Sequence, residues 1–146
     1  MTTNDERRPL TGVLVPIRSF DDAKSRLASV LDAPDRIRLT RDLADRVVNA
    51  ARGLPVWVVT DDARVADWAA ERAAIPLGVD RNGLNESVTA GVEIVRRRGF
   101  DRVIVAHADL PRAEDLTVME TIKSWPLAPW RVFLATLLPE VALVTV

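Results

Sequence analysis

Four short apolar runs recur along the chain, at residues 12–17, 56–60, 75–79 and 103–106, with longer polar stretches between them. Runs of this length without polar alternation read as strands buried on both faces, and the Val, Ile and Trp in them favour extended backbone. Pro16 suits a strand end, because it has no N–H for the ladder. Between the runs, apolar residues return at helical spacing. Ile37, Leu39, Leu43, Ala44, Val47, Val48 and Ala51 mark one helix, opened by Asp32, Pro34 and Asp35 and closed by Gly53. Val65, Trp68, Ala69 and Arg72 mark a second. A third carries Val88, Val92 and Val95 and ends at Arg96, Arg97, Arg98 and Gly99. Strands alternating with helices predict βαβ units, hence an α/β fold with a mainly parallel sheet and helices on both faces. Trp57 and Trp68 read as core or sheet-face residues.

At 146 residues the chain has the length of a single domain, spanning 1–146. Twenty basic side chains balance 21 acidic ones, which argues against a nucleic-acid partner. There is no cysteine and one histidine, which excludes disulfides, thiolate catalysis and multi-histidine metal sites. The first ten residues are polar, and no apolar run reaches the roughly 18 residues of a membrane span. A cytoplasmic domain without signal peptide or membrane anchor is therefore expected. Near Met119 the character changes: 37 of 41 charged side chains lie in residues 1–118, no glycine follows Gly99, and no aspartate follows Asp115.

In parallel sheets ligands bind beyond the carboxyl ends of the strands. That rule selects Arg18 to Arg26, Thr60 to Asp62, Asn82 to Asn85 and His107 to Pro111. The first loop offers Arg18, Lys24 and Arg26, which read either as a solvated basic loop or as cations gathered on phosphate. Neither common glycine-rich phosphate cradle is present. Asp109 is placed to hold magnesium, or equally to form a turn and cap the next helix. Asn82 and Asn85 offer the amide donors and acceptors that a purine edge needs, while the plainer reading makes Asn85 a helix cap. Asp61 and Asp62 are ambiguous in the same way, since a helix starting at Ala63 needs a cap. His107 reads as a packed or hydrogen-bonded residue rather than a base.

Together these segments resemble the 2-phospholactate guanylyltransferase family of coenzyme F-420 biosynthesis, whose bacterial members include phosphoenolpyruvate guanylyltransferases. The resemblance rests on Val15-Pro16-Ile17-Arg18, Ala23-Lys24-Ser25-Arg26-Leu27, Asp35-Arg36, Val58-Val59-Thr60-Asp61, Gly83-Leu84-Asn85 and Ala108-Asp109-Leu110-Pro111, in that order. It covers roughly residues 10–116. Molybdenum-cofactor guanylyltransferases are a nearer rival by fold, but their first loop is glycine-rich, and here no glycine lies between Gly12 and Gly53.

The resemblance implies a Rossmann-like nucleotidyltransferase fold of the nucleotide-diphospho-sugar transferase type, and magnesium-dependent transfer of GMP from GTP to phosphoenolpyruvate or 2-phospholactate. On it, Arg18, Lys24 and Arg26 hold the triphosphate, Gly83, Leu84 and Asn85 hold guanine, and Thr60 and Asp61 complete the nucleotide site. Asp109 binds magnesium, and Lys24, Arg26 and Asp109 carry catalysis. The implied partners are GTP and a small phosphorylated three-carbon acid. Family chains are longer, and their later half supplies a second acidic metal ligand and glycine-containing acceptor motifs. Neither motif is found after Leu116, where Glu140 is the only acid past Glu120, so acceptor-binding residues are not assigned. Residues 10–116 are thus expected to form a nucleotide-binding half. Residues 117–146 are expected to be a divergent or truncated apolar ending that adds strands or supports a homodimer or self-association. A GTP-binding remnant without turnover, or an interaction module, is the alternative reading.

Overall fold

The computed structural model describes residues 10–22, 24–79, 83–109, 132–134 and 141–145. Strand β1 (Thr11–Pro16) is buried at every position and ends at its proline. A short 3-10 helix (Ser25–Leu27) follows, then helix α1 (Ala33–Ala50), strand β2 (Val56–Val59), helix α2 (Ala63–Glu71), strand β3 (Ile75–Leu77), helix α3 (Leu84–Arg97) and strand β4 (Arg102–Ala106). Two further strands, β5 (Val132–Leu134) and β6 (Val141–Thr145), lie in the late apolar stretch.

The sheet runs β3-β2-β1-β4-β6-β5. β3, β2, β1 and β4 are parallel, with Val15 beside Val58 and Leu14 beside Val105. β6 pairs antiparallel with β4, and β5 antiparallel with β6. The sheet is therefore mainly parallel with an antiparallel edge, and the expected extra strands form there. The remainder of residues 110–131, including Leu110 and Pro111, lies outside the described residues, as do Ala23 and Asn82.

Alternation along β1 explains both layers. Val13, Val15 and Ile17 pack with Val58 and Ile104 against Ala44 and Val47 of α1 and Val65, Trp68 and Ala69 of α2. Leu14 points the other way, with Trp57, Val59, Val103 and Val105, onto Val92 and Val95 of α3. Successive strand side chains face opposite sides, so a strand apolar throughout needs cover on both. The helices divide accordingly because crossovers between parallel strands are right-handed. α1 and α2 carry the chain outward from β1 to β3 on one face. α3 returns it to β4 on the other.

Helix ends differ in part from expectation. Asp32 caps α1 as anticipated, its carboxylate accepting the Asp35 N–H at 2.9 Å. Gly53 does not close that helix: α1 stops at Ala50 with Ala51 as its cap, and Arg52 and Gly53 form the left-handed turn that follows. Asn85 is not the cap of α3. Gly83 is, at φ 134°, a backbone conformation open to glycine and costly for side chains with a Cβ. That places Asn85 inside the first turn.

Candidate functional site

β1 lies between β2 and β4, so the chain leaves it toward one side of the sheet and returns on the other. This is the topological switch point of an open α/β sheet, where crevices form past the strand ends. The loop after β1 is fixed by its own side chains. Phe20, 3% exposed, meets Trp68 edge-on at 5.3 Å between ring centroids, with the Arg41 guanidinium 5.2 Å from its centroid. Asp21 pairs with Arg64, and the Ser19 Oγ accepts the Asp21 N–H at 3.1 Å. These anchors hold Ile17 inside and turn Arg18 out to solvent.

The segment after β2 is equally fixed. The Thr60 N–H donates to the Leu77 carbonyl at 3.0 Å, tying it to β3. The Thr60 Oγ1 accepts the Asp62 N–H at 3.1 Å. Asp62 resolves one sequence ambiguity: it caps α2, its carboxylate accepting the Arg64 N–H at 2.8 Å. That backbone N–H holds the Asp62 carboxyl below the ordinary carboxylate range against the opposing effect of burial, and Ser19 and the Arg64 guanidinium add to it. Asp61 is left without a capping role.

Between these loops and the start of α3 lies a cavity of about 440 Å³. Its lining includes Arg18, Thr60, Asp61, Gly83 and Leu84, five of the nine residues to which the resemblance gives a site role. Val79 and Ser87 also line it and were missed. Ser87 stands three residues after Leu84, one helical turn along the same face, and that spacing could have found it. Asn85 does not join them. It borders a separate shallow groove with Glu86, Thr89, Ala90 and Glu93, because each helical residue is rotated about 100° from the last.

Lys24 and Asp109 meet elsewhere, past the ends of β1 and β4. The Lys24 Nζ lies 3.0 Å from the Asp109 Oδ2, with the lysine side chain 27% and the aspartate 51% exposed. Lys24 sits at φ 58°, a left-handed conformation uncommon for a residue with a side chain. Arg26, on the short 3-10 helix, is exposed and outside the cavity lining. His107 is partly buried just after β4. Arg96 and Arg97 contact Glu93 at 3.5 Å and 3.3 Å on the exposed end of α3. Among the described residues no group of three His, Cys, Asp or Glu could cage a metal, and no helix is long and apolar enough to cross a membrane.

A family model described as guanylyl transferase, CofC-like, matches residues 11–126. The phosphoenolpyruvate guanylyltransferase of Sphaerobacter thermophilus is 40% identical over 105 residues, which are 69% of this chain and 51% of that protein. That of Chloroflexus aggregans is 34% identical over 121 residues, 75% of this chain and 59% of its own. The chain thus spans a little over half the length of these curated relatives. Among solved structures, one described as a nucleotide-diphospho-sugar transferase from Desulfovibrio desulfuricans superposes with a TM-score of 0.63 at 16% identity, covering 77% of this chain and 52% of that one. A cytidylyltransferase from Leptospira borgpetersenii gives 0.57 at 11%, covering 94% and 60%. Identities this low speak to fold alone, and that fold is the expected nucleotidyltransferase-type α/β sheet.

Proposed function

The chain belongs to the CofC-like guanylyl transferase family, and from that premise we propose that it transfers GMP from GTP to phosphoenolpyruvate, the acceptor its curated relatives are named for. A phosphate oxygen of the acceptor attacks the α-phosphorus of GTP. The bond from that phosphorus to the β-phosphate oxygen breaks, and pyrophosphate leaves. No covalent enzyme intermediate is required, and catalysis reduces to positioning and charge neutralisation.

The observation that carries this reading is the joint placement of a cavity beyond β1 and β2 and a Lys24–Asp109 pair beyond β1 and β4. A nucleoside in the cavity would direct its phosphates toward the switch point, where Arg18 and Lys24 would supply positive charge, with Arg26 on the turn that follows Lys24. The Lys24–Asp109 contact is half-exposed, and such pairs contribute only about 0–1 kcal/mol. A ligand can therefore separate the two at little cost, leaving Lys24 for phosphate and Asp109 for a cation. Asp109 suits magnesium arriving with the triphosphate, which keeps phosphate oxygens and waters in its shell and needs few protein ligands. Magnesium so held would neutralise charge on the triphosphate. With GTP as substrate, the cytoplasm is the compartment in which the protein would act.

The test is pyrophosphate release by the full chain with GTP, magnesium and phosphoenolpyruvate, with 2-phospholactate in a parallel reaction. Release dependent on phosphoenolpyruvate is expected. GTP binding without release with either acid would overturn the transferase reading and leave a nucleotide-binding remnant. Absence of nucleotide binding would overturn both.

A further inference from the structure

We infer that Asp61 reads the base and makes the nucleotide site selective for guanine. This rests on the nucleotidyltransferase reading above and names a determinant within that site.

Three observations converge on Asp61. Its backbone is held on both sides: Thr60 is tied to Leu77, the Thr60 hydroxyl takes the Asp62 N–H, and Asp62 is committed to capping α2. Its carboxylate has no hydrogen-bond or ion-pair partner among the described residues, although Arg18 lines the same cavity. The other walls include Ile17, Val59, Val79 and Leu84, apolar groups suited to the faces of a planar ring. A pinned backbone, a charged acceptor unpaired among the described residues and apolar walls are what a base pocket needs for orientation and selectivity.

The hydrogen-bonding pattern then favours one purine. Guanine presents, in order, an O6 acceptor, an N1–H donor and an N2 amino donor. An ionised carboxylate takes both donors side by side, whereas adenine offers N1 as an acceptor and has no amino group at C2. At the other side of the cavity α3 begins with Gly83, which offers no side-chain cap. The first-turn N–H groups of α3 have no partners within the helix and match the O6 acceptor. Adenine would set its N6 amino donor against those donors. Asn85, the amide that the sequence offered for this task, lines the other groove.

Equilibrium binding of GTP, ATP and xanthosine triphosphate to the full chain, wild type against D61N, tests this. Xanthine keeps N1–H but replaces the amino donor at C2 with a carbonyl acceptor, which an amide can satisfy and a carboxylate repels. Wild type is expected to prefer GTP. Two hydrogen bonds to a charged group are at stake, so D61N should lose about 10- to 100-fold in GTP affinity. It should also bind xanthosine triphosphate better than wild type does. D61A should lose GTP affinity without that gain. Because Asp61 is exposed and caps nothing, unchanged urea midpoints would confirm that the variants fold. Selective GTP binding that D61N leaves intact would overturn the role of Asp61 while the nucleotidyltransferase reading stands. Wild-type binding of GTP and ATP with equal affinity would also overturn it. Binding of no nucleotide would overturn both.

Discussion

Replacing Gly91 by alanine tests how α3 is seated on the sheet, and therefore how the far wall of the cavity is held. In an exposed helix interior this change stabilises by about 0.8–1 kcal/mol, because glycine loses more backbone freedom on folding. Gly91 is buried, however, and a Cβ there would stand 2.7 Å from the Val59 Cγ2 and 3.1 Å and 3.2 Å from the two Leu14 methyls. Both neighbours belong to the core, Leu14 fully buried and Val59 4% exposed, so neither can swing into solvent. Overpacking of this kind costs about 1–3 kcal/mol. The clash outweighs the propensity gain, and the net expectation is a destabilisation of up to about 2 kcal/mol.

Val59→Ala alone removes two methyl groups and should cost about 2 kcal/mol, from roughly 0.8 kcal/mol per group plus a small cavity. In that background the 2.7 Å contact is gone and only the milder approaches to the Leu14 methyls remain, so Gly91→Ala should become close to neutral. The cycle should therefore show a favourable coupling of about 1–2 kcal/mol. Urea unfolding at equilibrium, followed by tryptophan fluorescence for all four proteins, measures it, with slopes unchanged between variants. Additivity within about 0.5 kcal/mol would refute the packing argument, since independent sites add to that accuracy.

Asp62→Ala should lower stability by about 1 kcal/mol in urea unfolding through loss of the α2 cap. Because the folded-state value for Asp62 is lowered, its contribution is present above the unfolded carboxylate value near 3.8 and is lost as pH falls through the folded one; the wild-type advantage should vanish in acid. Asp45 accepts from the Trp68 Nε1 at 3.2 Å and from the Arg72 guanidinium, linking α1 to α2. Asp45→Ala leaves those donors unpaired and should cost about 1–3 kcal/mol by the same assay. Lys24→Met should shift stability by less than about 1 kcal/mol, as a half-exposed pair implies, yet abolish pyrophosphate release. A large fall in the urea midpoint would instead make Lys24 a structural brace.

The α/β class, the strand positions and the core tryptophans were legible because they depend on local pattern. A strand buried on both faces must be apolar throughout, and a helix over a sheet must repeat its apolar face. Thus Val13, Leu14 and Val15, or Val65, Trp68 and Ala69, announce their surroundings without any knowledge of partners. The placement of Arg18, Lys24, Asp61, Gly83 and Asp109 beyond the sheet was legible for a related reason: it follows from where the apolar runs stop.

How these residues are grouped was not legible, because it depends on angles and pairings that join distant positions. One residue of helical phase parts Asn85 from Gly83 and Leu84 and sends it to a different groove. Asp61 and Asp62 are identical in chemistry and adjacent in sequence. Only the direction of the Arg64 N–H commits one to a cap and frees the other. Lys24 and Asp109, 85 positions apart, meet because β1 and β4 are neighbours, a pairing fixed by α3 crossing the face that α1 and α2 leave open. Periodicity records which face of an element is buried, whereas side-chain meetings across strand ends follow from the order of the strands. The sequence therefore specified the layers and the rim of the site. Their three-dimensional packing divided that rim into a cavity with Asp61 and a separate ion pair with Asp109.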